Sequence, residues 1–266
     1  MSGKHVTGWA FAACLLLSSS AFGQSVEHND RDSTEPQLPP QPQAHKPDLA
    51  RVEKLVFQYT NEFRKQQGRR PLKLNDKLSQ SARDYADYLA RTDKFGHTAD
   101  GKQPSQRAAE HGYAWCVVAE NIAWEYDSRG FTTDQLARQL IDGWKHSPEH
   151  RRNLLDPDVT EVGVAVAFGK ASGRYYAVQD FGRPRSLAVS FQVANQSDVE
   201  VRYTVGGQPF TLPPRYTRTH ERCRSAAVDF LKPGDQEGEV LRPRKGTRYV
   251  VRPDGAGGYR VEAGPS

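Results

Sequence analysis

The apolar residues of this chain change their spacing once along its length, and that change limits the folds open to it. Up to residue 144 they recur every three or four positions. Leu49, Val52, Leu55, Val56, Tyr59 and Phe63 mark an amphipathic helix from about Asp48 to near Gly68. Leu78, Ala82, Tyr85, Ala86 and Leu89 mark a second from about Asn75, and Leu136, Leu140, Ile141 and Trp144 a third, with Thr133 as its expected cap. A short helical piece is expected around Ser105 to His111. From residue 162 the spacing is that of strands: VGVAVAF and YYAVQDF, separated by the turn GKASG, read as a β-hairpin. Helices joined to an antiparallel sheet make an α+β domain, expected over residues 48–184.

After Pro184 the alternation continues without helices. Val189, Phe191 and Val193 alternate with polar residues, as do Val199, Val201, Tyr203 and Val205; Gly206-Gly207 marks a turn. Further short strands are expected at Phe210–Leu212, Val228–Phe230, Tyr249–Val251 and Tyr259–Val261. Residues 185–266 therefore read as a small all-β module, sandwich- or barrel-like. Asn195-Gln196-Ser197 within it fits a glycosylation sequon.

The other end carries targeting signals. Lys4 and His5, an apolar run from about Trp9 to Leu17, and the small residues ending at Gly23 read as a Sec-type signal peptide over residues 1–23, cleaved after Gly23. The run is shorter than the roughly 20 residues a membrane span needs, so the mature chain is expected to lack a transmembrane segment and to be secreted or periplasmic. Residues 24–47, with five prolines among Gln, Asp, Glu and His, read as a disordered linker. Export leaves Cys116 and Cys223, which either bridge in an oxidising compartment or stand as one buried and one exposed thiol.

The net charge of +5 is spread over short basic clusters at Arg69-Arg70, Arg151-Arg152, Arg183 to Arg185 and Arg242 to Arg248. Aromatic residues are not interleaved with them, which argues against nucleic acid as a partner.

One stretch, GWKHSPEHRRNLL, places His146, Glu149 and His150 in the H-x-x-E-H order of inverted zinc proteases. That chemistry needs both imidazoles on one face of a continuous helix. Pro148 lies between them, and inside a helix it would cost about 3 kcal/mol or more. The better parse starts a helix here, with Ser147 as N-cap, Pro148 at its first position and Glu149 in its first turn. His146 then falls outside that helix and His150 inside it. There is also no G-x-S-x-G elbow, and Cys116 sits in an apolar run without a histidine beside it.

The reactive side chains that remain are His97 in FGHTADG, Glu120 in AENIAW and His150. Two imidazoles and a carboxylate can hold a divalent metal or pass a proton, but residues this far apart in sequence also serve as loop ties and helix caps. Here the sequence resembles a known family. YTNEFRKQQGRRPLKLNDKLSQSARDYADYLA, then FGHTADG, AENIAW, the run from Trp144 through Ser147, Pro148 and His150 to Leu155, EVGVAVA and YYAVQDFG are similar to the bacterial branch of the CAP superfamily. This SCP-domain group includes cysteine-rich secretory proteins, venom antigen 5 and plant pathogenesis-related proteins. The resemblance covers about residues 52–182.

It implies a three-layer α-β-α sandwich, an extracytoplasmic location and a cleft lined by two His and two Glu that binds Zn2+ or another divalent cation. His97, Glu120 and His150 match three members of that tetrad. Ala119 replaces the family's glycine before Glu120, Ser147 stands where eukaryotic members carry the second acid, and Glu149 is the substitute fourth ligand. The expected function is an exported binding module whose cleft engages a lipid, glycan or protein partner. The alternative is a metal-dependent hydrolase of peptides or envelope polymers, with His97, Glu120 and His150 as its candidate catalytic residues; a third reading is a scaffold that docks through its β-module. Trp115, Trp124 and Trp144 are expected in the core, and His111 and His146 outside the site.

Overall fold

A computed structural model describes residues 46–231 and 239–265. The expected leader and all but the end of the expected linker lie outside the described residues. The first helix, α1 (Leu49–Gln66), begins where Asp48 accepts a hydrogen bond from the Arg51 N–H. It is followed by β1 (Lys73–Leu74), α2 (Asp76–Thr92), α3 (Pro104–Glu110), β2 (Trp115–Glu125), α4 (Thr133–His146), α5 (Pro148–Leu154), β3 (Glu161–Phe168) and β4 (Tyr175–Pro184).

Asn75 caps α2, accepting from the N–H groups of Lys77 and Leu78. The cap of α4 is Thr132, one residue before the expected Thr133: its hydroxyl accepts from Gln135 N–H, and the Gln135 side chain accepts from Thr132 N–H. Thr133 Oγ1 instead accepts from Asp48 N–H at 3.0 Å and ties the starts of α1 and α4 together. Ser147 precedes α5 with Pro148 at its first position, so the H-x-x-E-H stretch is divided between two helices.

The first sheet runs β1-β3-β4-β2, with β1 parallel to β3 and the other pairs antiparallel. Strand periodicity sends alternate side chains to opposite faces. Val162, Val164, Val166, Ala177 and Phe181 meet α1 and α4 through Val56, Phe63, Leu140 and Trp144. Ala165, Ala167, Val178 and Ile122 meet α2 through Ala82, Tyr85, Ala86 and Leu89. Helices thus cover both faces. β2 escapes the sequence pattern because long stretches of it are buried on both sides, which erases the polar–apolar alternation.

Gly163 sets how close α2 comes. A Cβ there would fall within contact distance of the Leu78 and Ser79 backbone. Gly163→Ala is therefore expected to destabilise by roughly 1–3 kcal/mol through overpacking. Urea unfolding checks this, and an unchanged midpoint would refute the close approach.

Beyond β4 the chain forms β5 (Val189–Asn195), β6 (Val201–Val205), β7 (Gln208–Leu212), β8 (Thr217–Arg222), β9 (Val228–Leu231), β10 (Glu239–Leu241), β11 (Thr247–Pro253) and β12 (Tyr259–Pro265). They pair as two four-stranded sheets, β10-β9-β6-β7 and β12-β11-β5-β8. One cluster joins them, with Phe191, Val193, Tyr203, Phe230, Tyr249 and Val251 at its centre. β8 was not expected, because its sequence TRTHER buries only His220.

Cys116 and Cys223 are bonded to each other. The sequon asparagine is buried, its amide donating to the Val199 and Leu212 carbonyls, so it is a structural turn residue. Trp144 lies in the core as expected, but Trp115 and Trp124 are 42% and 41% exposed. Both sit near the ends of β2, where the helices no longer cover the strand, and Arg174 stacks on the Trp124 ring at 4.2 Å. Among the described residues no helix is long and apolar enough to cross a membrane.

Candidate functional site

Glu120, Asp180 and Gly163 occupy one row across β2, β4 and β3, on the face covered by α2. Because Gly163 carries no side chain, α2 comes close enough for Ser81 Oγ to donate to Asp180 Oδ2 at 2.8 Å. Asp180 is fully buried and its other oxygen has no partner among the described residues. Burial, followed by the neighbouring Glu120 charge, pushes its carboxyl well above the usual carboxylate range. The protonated form is thereby favoured next to Glu120.

Glu120 itself is 5% exposed and fully engaged. Its Oε1 lies 2.7 Å from His97 Nδ1, and its Oε2 accepts from Arg107 Nη2 at 2.5 Å. Arg107, on α3, is 4% exposed, with its Cζ over the Tyr85 ring, 3.5 Å from the centroid. It also donates to Asp100 Oδ1 and to the carbonyls of Lys102 and His97. The loop bearing His97 is held from below as well. Tyr85 Oη donates to Gly96 O and accepts from Ala99 N–H, while Tyr88 Oη donates to Ala99 O. Burial raises the Tyr85 phenol to about 12, so it stays a donor.

His97 is therefore clamped at Nδ1 and by its backbone, while its side chain is 50% exposed. Nε2 carries no bond among the described residues, so the outward edge of the ring is open. His150 approaches from the far side of the edge strand β2. Its carbonyl accepts from Asn121 Nδ2, and Asn153, one helical turn on, donates to Glu120 O and Asn121 Oδ1. Burial, then the proximity of His97, lowers the His150 pKa, with Glu149 opposing. His97 and Glu120 are thus in direct contact, and His150 is tied to the neighbouring strand position through its backbone bond with Asn121.

Glu149 is exposed in the first turn of α5, with no bond to the other three. His146 ends α4 with Nδ1 2.7 Å from Asp142 O, facing a separate groove of about 840 Å3 beside α4.

Whether these residues suit a metal depends on free donors. A catalytic zinc site takes three protein ligands. Both Glu120 oxygens are committed and Glu149 points to solvent, leaving two imidazoles. Among the described residues no group of three or more His, Cys, Asp or Glu is arranged to hold a metal ion. As placed, these residues do not fit a resident metal. What it offers is an imidazole edge held rigidly by a buried carboxylate, as outer carboxylates orient histidines elsewhere.

A buried histidine in the C-terminal strands adds to the pH response. His220 Nε2 lies 2.8 Å from Tyr203 Oη among aromatic rings, and burial, then Arg218 and Arg222, lowers its pKa. For both His150 and His220 the folded value lies below the ordinary 6.5. The unfolded chain then binds more protons than the native one, so stability is complete above 6.5 and falls as pH drops through the window below it. The thermal midpoint should decline on acidification from about pH 7.5 to about pH 5, less so in His220→Gln. A midpoint that does not move would rule this out.

Comparison with known proteins agrees with the region involved. The profile of CAP, the cysteine-rich secretory protein family, matches residues 57–181. The uncharacterized protein YkwD of Bacillus subtilis is 30% identical over 136 residues, 51% of this chain and 49% of its own length. This chain thus spans about half of that relative. An uncharacterized protein of Borreliella burgdorferi is 24% identical over 45% of this chain and 71% of its own. Among solved structures, an outer surface protein from Borrelia burgdorferi aligns over 53% of this chain and 98% of its own, with 23% identity and a TM-score of 0.46.

Proposed function

We propose that this chain, whose residues 57–181 match the profile of CAP, the cysteine-rich secretory protein family, acts as an exported binding module, with a His97–Glu120–His150 cleft engaging a lipid, glycan or protein partner. Residues 48–184 are the binding domain in this reading and residues 185–266 an appended β-module. The observation that carries it is the state of Glu120. Its two oxygens already serve His97 and Arg107, which favours a positioning role for Glu120 over that of general base or metal ligand. The open edge of His97 and the half-buried His150 remain as hydrogen-bonding groups for a ligand.

An export route is in keeping with the Cys116–Cys223 disulfide, since such bonds persist in oxidising compartments. The test follows the ring signals of His97 and His150 by NMR while the purified chain is titrated with a fatty acid, a muropeptide and a casein peptide, with and without zinc. A ligand that shifts both signals and is recovered intact supports binding. Zinc-dependent cleavage lost in His97→Ala would install the metal-dependent hydrolase in its place.

A further inference from the structure

Away from the His97–Glu120 pair, three grooves of about 690, 610 and 140 Å3 adjoin where the C-terminal strands meet the helical part. They border one another. The first two share Arg69 and Pro157, the second and third share Arg224, and the first and third share Ser225. The join is fixed: Asp158 Oδ1 accepts from Ser225 N–H and Oγ at 2.9 and 2.8 Å, and Cys223 is bonded to Cys116.

The charge along this track is one-sided. Arg69, Arg70, Lys73, Arg152, Arg222 and Arg242 line it and make no ion pair among the described residues. Of its two carboxylates, Asp156 is paired with Arg224, and Glu161, which accepts from the neutral Tyr113 hydroxyl, leaves one negative charge against these six cations. Uncompensated cations held along a concave path attract a linear polyanion. Arginine forks match carboxylates, as they do phosphates, through paired hydrogen bonds. Prolines 71, 148, 157 and 243 supply rigid apolar walls on which sugar faces can rest. No aromatic side chain lines any of the three grooves, so a single-stranded nucleic acid would find nothing to stack on. The concavity suits a chain better than a planar bilayer.

We propose that this track is a binding surface for a linear, carboxylate-bearing polysaccharide, distinct from the His97–His150 cleft and independent of it. The experiment measures binding of the full chain to polygalacturonate, neutral dextran, an oligothymidylate and anionic phospholipid vesicles, at about 50 mM and about 200 mM salt. Polygalacturonate should bind with an affinity that falls as salt rises, and dextran should not bind. Reversing three exposed charges together, Arg69→Glu, Arg152→Glu and Arg242→Glu, should weaken binding roughly tenfold or more. Lys54→Glu, a charge reversal elsewhere on the surface, should leave it within about twofold. Circular dichroism establishes that each variant is folded.

His97→Ala should bind polygalacturonate as the parent does, which separates this surface from the cleft. Equal or tighter binding of the oligothymidylate or of vesicles, or equal loss in Lys54→Glu and the triple variant, would overturn the proposal.

Discussion

Glu120→Ala should lower the unfolding free energy by roughly 3–5 kcal/mol, the range expected when one partner of a buried ion pair is removed. Arg107 would keep its charge at 4% exposure and lose its shortest bond. Asp100 and two carbonyls would remain to it, and its Nε is already unpartnered. His97 would lose the carboxylate that fixes its ring. A partial rescue is built into the row: without the Glu120 charge nearby, the Asp180 carboxyl ionises more readily, and Arg107 favours that form. Glu120→Gln keeps the shape but removes the charge, and should cost about 1.5–3 kcal/mol, the scale of a charged hydrogen bond. For a domain of this size each kcal/mol moves the thermal midpoint by about 2–4 °C. Midpoints for alanine and glutamine variants that differ from the parent by less than a degree or two would contradict the ion-pair account.

The expected tetrad residues and the observed site differ in a physically instructive way. His97, Glu120 and His150 could be picked out because a family resemblance marks them and because reactive side chains in apolar or loop contexts stand out. Asp180 carried a comparable signal: an acid inside the apolar strand YYAVQDFG must be neutral or paired once buried. Arg107 carried none, since a single arginine in the short helix PSQRAAE looks like any solvated residue until α2 and the 95–102 loop close over it. The metal expectation rested on the family resemblance, which says nothing of Glu120's partners; the placement of Arg107 beside it is visible only in the fold. In the fold, α1, α2 and α4 were legible because each buries one stripe and exposes the rest. The cap of α4 was displaced by one because Thr132 and Thr133 are chemically equivalent in sequence, and tertiary contact with Asp48 assigns their roles. β2 was hidden by two-sided burial and β8 by its polar composition, both cases in which tertiary context overrides local pattern.

Breaking the Cys116–Cys223 bond, by reductant or by replacing both cysteines with alanine, is expected to destabilise by about 2–5 kcal/mol. The two residues are 107 positions apart, and the chain-entropy argument assigns a loop of about 100 residues close to 5 kcal/mol, most of it by restricting the unfolded chain. Native contacts at the same junction are weaker. The Arg224–Asp156 pair is half exposed on the arginine side, so it contributes about 0–1 kcal/mol. The bonds of Ser225 to Asp158 add about 1 kcal/mol each. The covalent link is therefore expected to contribute more to overall stability than either of these polar contacts, and Cys223 itself packs against the α1–α4 core cluster. Ser225→Ala in the oxidised chain should accordingly cost less than reduction does. Urea unfolding of oxidised and reduced chain measures the difference, and hydrogen exchange at residues 222–226 reports where it acts. If the two unfolding midpoints coincide, or if Ser225→Ala costs as much as reduction, the polar contacts hold the junction and the bridge does not.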